Sequence, residues 1–209
     1  MARAEDPTAK ARRVWQEMAP RYERQMKFAE KHFLAGTREW ICSRATGRVL
    51  EVAVGTGLNL GLYPSGVSLT GIELSPAMLS VAQARARDLG LDADLREGDA
   101  QALPFEASSF DTVVCTLSLC AIPDDARTVA EMARVVRPGG RLLLLDHIGS
   151  TWWPIFAGQR LVEFFTVRSE GEYLTRRPSL LLRGVGLQIV ESVRTKLGVI
   201  ERVHAVKPA

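Results

Sequence analysis

The stretch Gly47-Arg-Val-Leu-Glu-Val-Ala-Val-Gly-Thr-Gly-Leu-Asn-Leu60 decides how the rest of the chain can be arranged. Its first half is a short run rich in β-branched apolar residues, as expected for a strand buried on both faces. Gly55 and Gly57 then remove side chains where the backbone has to turn and where a ligand can approach closely. The stretch therefore predicts a buried strand that ends in a glycine-rich loop.

Two carboxylates make this loop more specific than its glycines alone. Glu51 lies inside the predicted strand, where a buried charge is costly unless it meets a polar or cationic partner. A second predicted strand, residues 67–72, ends in Glu73. The distance from the glycine loop to Glu73 is about that at which a Rossmann-like unit presents an acid to a ribose diol. The spacing favours a ligand that carries a ribose.

Four phrases of the sequence resemble class I S-adenosylmethionine (SAM) dependent methyltransferases. Residues 49–57 (VLEVAVGTG) and 71–79 (GIELSPAML) resemble the cofactor motifs, although the family usually has glycine where this chain has Ala53. Residues 103–111 (LPFEASSFD) are typical of the small-molecule branch, and residues 131–141 (EMARVVRPGGR) resemble the family closely. The resemblance extends over nearly the whole chain and is strongest between residues 48 and 146.

The resemblance implies a fold and an activity. The expected fold is a Rossmann-like, doubly wound α/β sheet of seven strands, the last antiparallel, with a helical extension at the N-terminus. A length of 209 residues suits a single domain, divided into a helical lid (1–46), a SAM-binding core (47–147) and substrate-side helices with a terminal hairpin (148–209). The expected reaction is direct in-line transfer of a methyl group from SAM, which leaves S-adenosylhomocysteine.

The resemblance also implies which residues bind SAM. Glu73 would hold the ribose hydroxyls, and Asp99 would bond the exocyclic amine of adenine, although an aspartate after a strand is often only a turn former. Tyr22, in a Trp15-to-Glu23 phrase similar to one in the family, would touch the methionine end. The predicted cofactor-binding set is Tyr22, Glu51, Ala53, Gly55, Gly57, Asn59, Glu73, Leu74, Met78, Asp99, Ala100, Cys115 and Thr116.

His147 and Asp146 are the predicted catalytic residues, because they follow the fifth predicted strand at the carboxyl end of the sheet. Histidine titrates near neutral pH and can take a proton from a thiol, hydroxyl or ammonium acceptor. Adjacent strand residues face opposite sides, so a direct Asp–His pair is not expected and His147 ranks first. A histidine that only hydrogen-bonds the backbone at a strand end stays an equal alternative. The reaction requires no metal.

The segments outside the core are predicted from periodicity. Residues 8–45 read as helical with one apolar stripe, and Pro20 is expected to divide them into two helices. The stripe fits either core packing or a lid over the cofactor. Helices are predicted at 154–167 and 175–184, and a hairpin at 186–194 and 199–206. The aromatic residues in 148–185 either cover the sheet or line the acceptor pocket, and both interpretations stay open.

Composition limits the partners and the compartment. Residues 1–44 hold ten Lys/Arg and six Asp/Glu, a net charge of +4 (ten minus six). This modest excess lacks the dense basic patch of nucleic-acid binding, so no nucleic acid is expected. Cys42, Cys115 and Cys120 are odd in number and lack metal-type spacing, which suits a reducing cytoplasm. The first residues lack the apolar core of a signal peptide, and no apolar run is long enough to span a bilayer.

Two other classes compete with the methyltransferase interpretation. A nicotinamide-dinucleotide oxidoreductase could use Gly61 as a displaced third glycine, but Leu60 occupies the usual position and Glu51 sits in a strand end that dehydrogenases keep apolar. A SAM-binding module without activity is the other. The predicted partner is a small-molecule acceptor with an N, S, O or C nucleophile. Resemblances to membrane-associated thiol methyltransferases and to bacterial phosphatidylethanolamine N-methyltransferases leave peripheral membrane contact open, and the oligomeric state is not predicted.

Overall fold

A single seven-stranded sheet organises the computed structural model, which describes residues 5–169 and 171–209. The strand order is β3-β2-β1-β4-β5-β7-β6. Strands β1 to β5 run parallel, and β7 lies antiparallel between β5 and β6. This confirms the doubly wound sheet with an antiparallel last strand. The strands are β1 (Arg48–Val52), β2 (Ser68–Glu73), β3 (Ala93–Glu97), β4 (Phe110–Thr116), β5 (Val136–His147), β6 (Gln188–Thr195) and β7 (Ile200–Val206).

Six α-helices flank the sheet in the described residues. They are α1 (Pro7–Ala29), α2 (Thr37–Cys42), α3 (Pro76–Asp88), α4 (Asp125–Val135), α5 (Trp153–Ser169) and α6 (Ser179–Leu182). Helix α3 begins as its sequence predicts, because the hydroxyl of Ser75 accepts from the Met78 N–H and Pro76 occupies the first helical position. Within the described ranges, no helix has the length and apolarity needed to cross a membrane.

Helix α1 continues through Pro20 without interruption, so the expectation of two helices divided there is wrong. A proline in a helix removes one backbone hydrogen bond. Contacts with α3, among them an ion pair of Glu23 with Arg85, hold α1 along its length. The chain instead leaves the helix at a π-helical turn, Glu30–Leu34, followed by Gly36 with a φ of 72°.

Three other predicted bounds differ from the structure. Strand β5 begins at Val136, directly after α4, whereas the sequence predicts helix up to residue 137 and strand only from 141. The helix expected at 175–184 is reduced to α6 and a 3₁₀ turn, Arg183–Val185. After the glycine loop, the sequence predicts a short helix over residues 58–63, where the structure has a 3₁₀ turn, Leu60–Leu62. Prolines and glycines at each place interrupt the helical pattern.

The core lies on both faces of the sheet. Leu142 and Leu144 of β5 belong to the cluster that α4 covers, whereas Leu143 and Leu145 belong to the cluster on the side of α2 and α3. This alternation buries nearly every residue of the central strands, as expected for a parallel sheet. The carboxyl ends of β1 to β4 therefore meet at one edge, where polar side chains can face a ligand.

Candidate active site

A cavity lies at the carboxyl edge of strands β1 to β4. Its empty volume is about 820 Å³, part of it open to solvent, which lies in the range of small-molecule and cofactor sites. The loops after the four strands form one side, and helix α1 forms another through Ala11, Trp15 and Tyr22. The predicted site residues that line the cavity are Tyr22, Ala53, Gly55, Glu73, Leu74, Met78, Asp99, Ala100 and Thr116.

Glu73 ends β2 as a rigid carboxylate in the wall of the cavity. Its Oε2 accepts from the Gly55 N–H at 2.9 Å, and its Oε1 accepts from the Ser75 N–H at 2.9 Å. Burial raises the pKa of Glu73, while these backbone hydrogen bonds lower it. A carboxylate offers about four acceptor positions. The acceptor positions left after the backbone contacts suit a pair of neighbouring hydroxyls.

The glycine-rich loop shows why each small residue is required. Ala53 has a φ of 56°, in the left-handed region that favours glycine, and this accounts for the glycine that the family usually places there. Gly55 has a φ of 59°, in the same left-handed region, and an added Cβ would meet no other atom within 4 Å. At Gly57 an added Cβ would lie 2.6 Å from Leu60. Gly57 is thus required for packing and lies outside the cavity wall.

Asp99 lines the cavity beside Gln101, a residue that the sequence does not single out. The Asp99 carboxylate accepts from both the backbone N–H and the side-chain amide of Gln101, at 2.9 and 3.0 Å. The same amide donates to Thr8 of α1 at 3.1 Å, and its oxygen accepts from the Asp124 N–H. Gln101 therefore ties Asp99 to the N-terminal helix.

A buried polar network lies behind Thr116. The Glu51 carboxylate accepts from the Asn59 side chain at 2.7 Å and from the Tyr63 hydroxyl at 2.9 Å. Asn59 also donates to the Thr116 hydroxyl at 2.9 Å. Glu51 and Asn59 do not line the cavity, so their direct contact with a cofactor stays a prediction. Their observed contacts orient Thr116, which does line it.

Arg38 completes this network, although sequence reasoning missed it. Its guanidinium is buried, lines the cavity, and donates to Asn59 at 2.9 Å and to Thr116 at 3.3 Å. It also pairs with Glu30 at 2.5 Å. The phrase Thr-Arg-Glu-Trp around it reads as an ordinary exposed helix, so no local signal marks the arginine. A permanent positive charge thus lies in the cavity wall.

The buried Glu51 predicts a measurable pH dependence of stability. Burial raises the pKa of Glu51 from 4.5 to about 7, against the hydrogen bonds that lower it. Between pH 4.5 and about pH 7 the folded state keeps a proton on Glu51 that the unfolded state has released. The contribution of Glu51 to the free energy of unfolding therefore decreases as the pH rises through this range. We expect Glu51→Gln to remove a decrease of about 3 kcal/mol in the free energy of unfolding between roughly pH 4 and pH 8.

Urea denaturation at both pH values measures this difference. Glu39→Gln, which changes an exposed glutamate of α2, serves as the matched control and should keep the wild-type slope. If Glu51→Gln shows the same loss of stability with rising pH as the wild-type protein, another group is responsible and the assignment to Glu51 fails.

Asp146 holds two backbone segments and also accepts from the Cys120 thiol. Its buried carboxylate accepts from the His147 N–H at 2.9 Å and from the Cys120 N–H at 3.3 Å. Burial raises the pKa of Asp146. These contacts fix the end of β5 against the loop after β4. Asp146 does not line the cavity. Its contacts support a role in positioning the loop after β4, and a direct catalytic role stays a prediction.

His147 belongs to a separate cluster beside the cavity. Its ring, the Cys120 thiol and the Glu172 carboxylate offer atoms within 4.8 Å of one another. The ring Nδ1 is buried and has no hydrogen-bond partner among the described residues. Ser118 and Ala121, on either side of Cys120 in the same loop, line the cavity. The cluster and the cavity are therefore two sides of one short loop, and Glu172 was not predicted.

Cys115 lies away from both features. Cys115 lies near the carboxyl end of β4, but its side chain belongs to the core cluster on the α4 side of the sheet. Burial raises the pKa of its thiol well above the ordinary value. Because Cys115 does not line the cavity, its predicted backbone contact with a cofactor stays a prediction.

Comparisons with known proteins agree with this geometry. A family described as a methyltransferase domain matches residues 50–144. Phosphatidylethanolamine N-methyltransferase of Cereibacter sphaeroides is 41% identical over 121 residues, which are 57% of this chain and 60% of that protein. Demethylmenaquinone methyltransferase of Thermus thermophilus is 33% identical over 140 residues, 64% of each protein. The matches thus span less than two thirds of these relatives.

A solved structure shows the same architecture over more of the chain. A SAM-dependent methyltransferase of Methanosarcina mazei superposes with a TM-score of 0.63 and 25% identity, over 80% of this chain and 95% of that one. Residues 50–144 belong to this methyltransferase-domain family, and the fold around them is that of class I SAM-dependent methyltransferases.

Proposed function

We propose that this chain transfers a methyl group from SAM to a small-molecule acceptor. The observation that supports this most directly is Glu73, a buried carboxylate held by two backbone N–H groups with its remaining acceptor positions at the cavity. A ribose presents two neighbouring hydroxyls, which such a carboxylate can accept together.

The residues around the cavity fit SAM as a whole. Asp99 offers acceptors for an exocyclic amine, and the Thr56 hydroxyl is buried in the cavity wall with no protein partner among the described residues. Arg38 supplies a positive charge, suited to the methionine carboxylate. Gly55 leaves open space where a side chain would stand. We assign Glu73 to the ribose, Asp99 to the adenine, and Tyr22, Thr116 and Arg38 to the methionine end.

The chemistry asks little of the protein beyond placement. When bound, SAM supplies a methyl group already activated on a sulfonium. The chain has to align the acceptor, exclude water and receive a proton where the acceptor carries one. Trp15 and Tyr22 of α1 line the cavity. Their two rings pack edge to face against each other, with centroids 6.0 Å apart. Burial raises the pKa of Tyr22 to about 12, so its hydroxyl stays neutral and is a donor rather than a base.

The relatives do not agree on one class of methyl acceptor. The two curated relatives are named for an amine-bearing phospholipid and for a demethylated menaquinone, which differ in the accepting atom. We carry phosphatidylethanolamine N-methylation as the second candidate, favoured by the 41% identity. A NAD-dependent oxidoreductase is the rival class.

One experiment separates these functions. Calorimetry with SAM and with NAD should show binding of SAM alone. Turnover should then release S-adenosylhomocysteine with at least one member of a panel of thiols, amines, phenols and phospholipids, whose products are identified by mass spectrometry. Tight NAD binding would refute the proposal, and SAM binding without turnover on any acceptor would leave a binding module in its place.

Gln16 tests the role of α1 as a wall of the site. Its side-chain oxygen accepts from the Ser75 hydroxyl at 3.2 Å and from the Ala77 N–H at 3.0 Å, and so fastens α1 to the start of α3. We expect Gln16→Ala to weaken SAM binding about fivefold, the equivalent of one lost hydrogen bond of about 1 kcal/mol. Calorimetry measures it. Glu17→Ala, one residue along and exposed, should bind like the wild-type protein; equal affinity for the Gln16 variant would contradict the assignment.

A further inference from the structure

Helix α5 turns polar side chains toward the protein and large apolar side chains toward solvent. Its inward residues are polar. Glu163 is the buried residue of this helix, and its carboxylate accepts from the backbone N–H and the hydroxyl of Thr175 at 2.7 and 2.8 Å. Gln159 accepts from the Ser150 N–H at 2.8 Å, and the Thr166 hydroxyl donates to a backbone carbonyl at 2.9 Å. An amphipathic surface helix normally buries its apolar side. Here that side points outward.

The outward side carries several large apolar residues that are exposed. Trp153 is 76% exposed and Leu161 is 67% exposed. The turn between β6 and β7 adds Leu197, whose backbone carbonyl accepts from the Ser150 hydroxyl at 2.7 Å, just before the helix. Side chains of this kind are usually buried. This set of exposed residues, named here the apolar face, consists of Trp152, Trp153, Leu161, Phe164, Phe165 and Leu197.

The exposed charged side chains of α5 are basic, although Arg160 also pairs with the buried Glu163 carboxylate. The exposed charged residues of α5 are Arg160 and Arg168, and Lys196 adjoins Leu197. Lys10 reaches the end of the helix, where its ammonium donates to the backbone carbonyls of residues 167 and 168. Between residues 149 and 169 the one acidic residue is Glu163, which is buried. The rim is therefore basic and offers no exposed carboxylate within this segment.

This combination selects a lipid surface over a second copy of the chain. Self-association would bring the arginines of two copies together without an acid on the face to pair with them. A bilayer that contains anionic lipid satisfies both parts, because apolar side chains enter the acyl boundary while basic side chains meet the headgroups. Tryptophan is also enriched at membrane–water interfaces. We propose that α5 docks this protein on the surface of anionic membranes.

The docking surface adjoins the cavity through α1. Lys10 contacts the end of α5, and the next residue, Ala11, lines the cavity. A protein held through α5 would therefore keep the α1 wall of its site close to the bilayer, where a lipid-borne acceptor can enter. The inference about binding stands on the apolar face itself and does not depend on the methyl transfer proposed above.

Vesicle sedimentation tests the proposal with the full chain. We expect wild-type protein to bind vesicles of phosphatidylcholine with phosphatidylglycerol, and to bind phosphatidylcholine alone at least about fivefold more weakly, the worth of one basic contact with an anionic surface. The double variant Trp153→Ser, Phe165→Ser should bind the anionic vesicles about tenfold or more weakly. Both side chains are exposed, so the fold should be kept, which circular dichroism checks.

A matched control and two contrary outcomes make the test decisive. Val190→Ser removes an apolar side chain that is 61% exposed on β6, outside the apolar face, and should bind vesicles like the wild-type protein. Wild-type binding by the double variant, or equal wild-type binding to neutral and anionic vesicles, overturns the proposal. Analytical ultracentrifugation that shows a dimer which the double variant loses would assign the apolar face to a second copy.

Discussion

Replacing Glu73 with alanine should weaken SAM binding about 30- to 150-fold, equivalent to roughly 2–3 kcal/mol. The carboxylate is 6% exposed and its contacts with Gly55 and Ser75 leave it no freedom to move away from the cavity. The variant loses the proposed hydrogen bonds to the ribose, which are strong because the acceptor is charged. Isothermal titration calorimetry with SAM measures the change.

Two further variants show whether the loss comes from the ligand contact. Asp94→Ala removes an exposed carboxylate from the neighbouring strand β3 and should keep wild-type affinity. Glu73→Gln keeps one oxygen acceptor but faces a backbone N–H with its own amide, so its affinity should lie between the alanine variant and the wild-type protein. Unchanged SAM affinity in a folded Glu73→Ala protein would remove the ribose assignment.

The central half of the fold could be predicted because its signals are local. A β-branched run followed by Gly55 and Gly57 marks a buried strand and a tight turn whatever lies elsewhere. Ser75 and Pro76 mark a helix start by the chemistry of capping. Strand order is different, because it depends on which strands pair over long distances, and only the resemblance to a known family supplied it.

The parts that could not be predicted depend on tertiary contacts. Pro20 has the same local cost in any helix, and the contacts of α1 with α3 outweigh it. Arg38 looks like a surface residue until Glu30 and Asn59 surround it. Helix α5 has the apolar content of a core helix, and its orientation follows from Glu163, which bonds a loop twelve residues away. No period in the sequence records such partners.

The candidate site shows the same division. The residues at the ends of strands β1 to β4 reach the cavity because parallel strands end at one edge. His147 also follows a strand end, but it lies beside Cys120 and Glu172 rather than in the cavity wall. The pairing of Asp146 with the His147 backbone and not its ring agrees with the alternation of side chains along a strand. We propose that His147, as a base, would reach an acceptor bound against Ser118 across the loop that carries Cys120.

Replacing His147 with glutamine or with alanine should lower turnover about 100-fold while SAM affinity stays unchanged, the usual worth of a positioned base. The buried, unpartnered Nδ1 and the nearby Glu172 carboxylate are the features that suit proton transfer from an acceptor. His204→Gln, a histidine of β7 in the same sheet, is the matched control and should turn over normally.

Because Cys120, His147 and Glu172 could also hold a metal ion, turnover is measured with and without a chelator. Loss of wild-type activity in the chelator would assign the cluster to a metal instead. Near-normal turnover of either His147 variant between about pH 6 and pH 9 would make the histidine structural, with placement of the acceptor alone carrying the reaction.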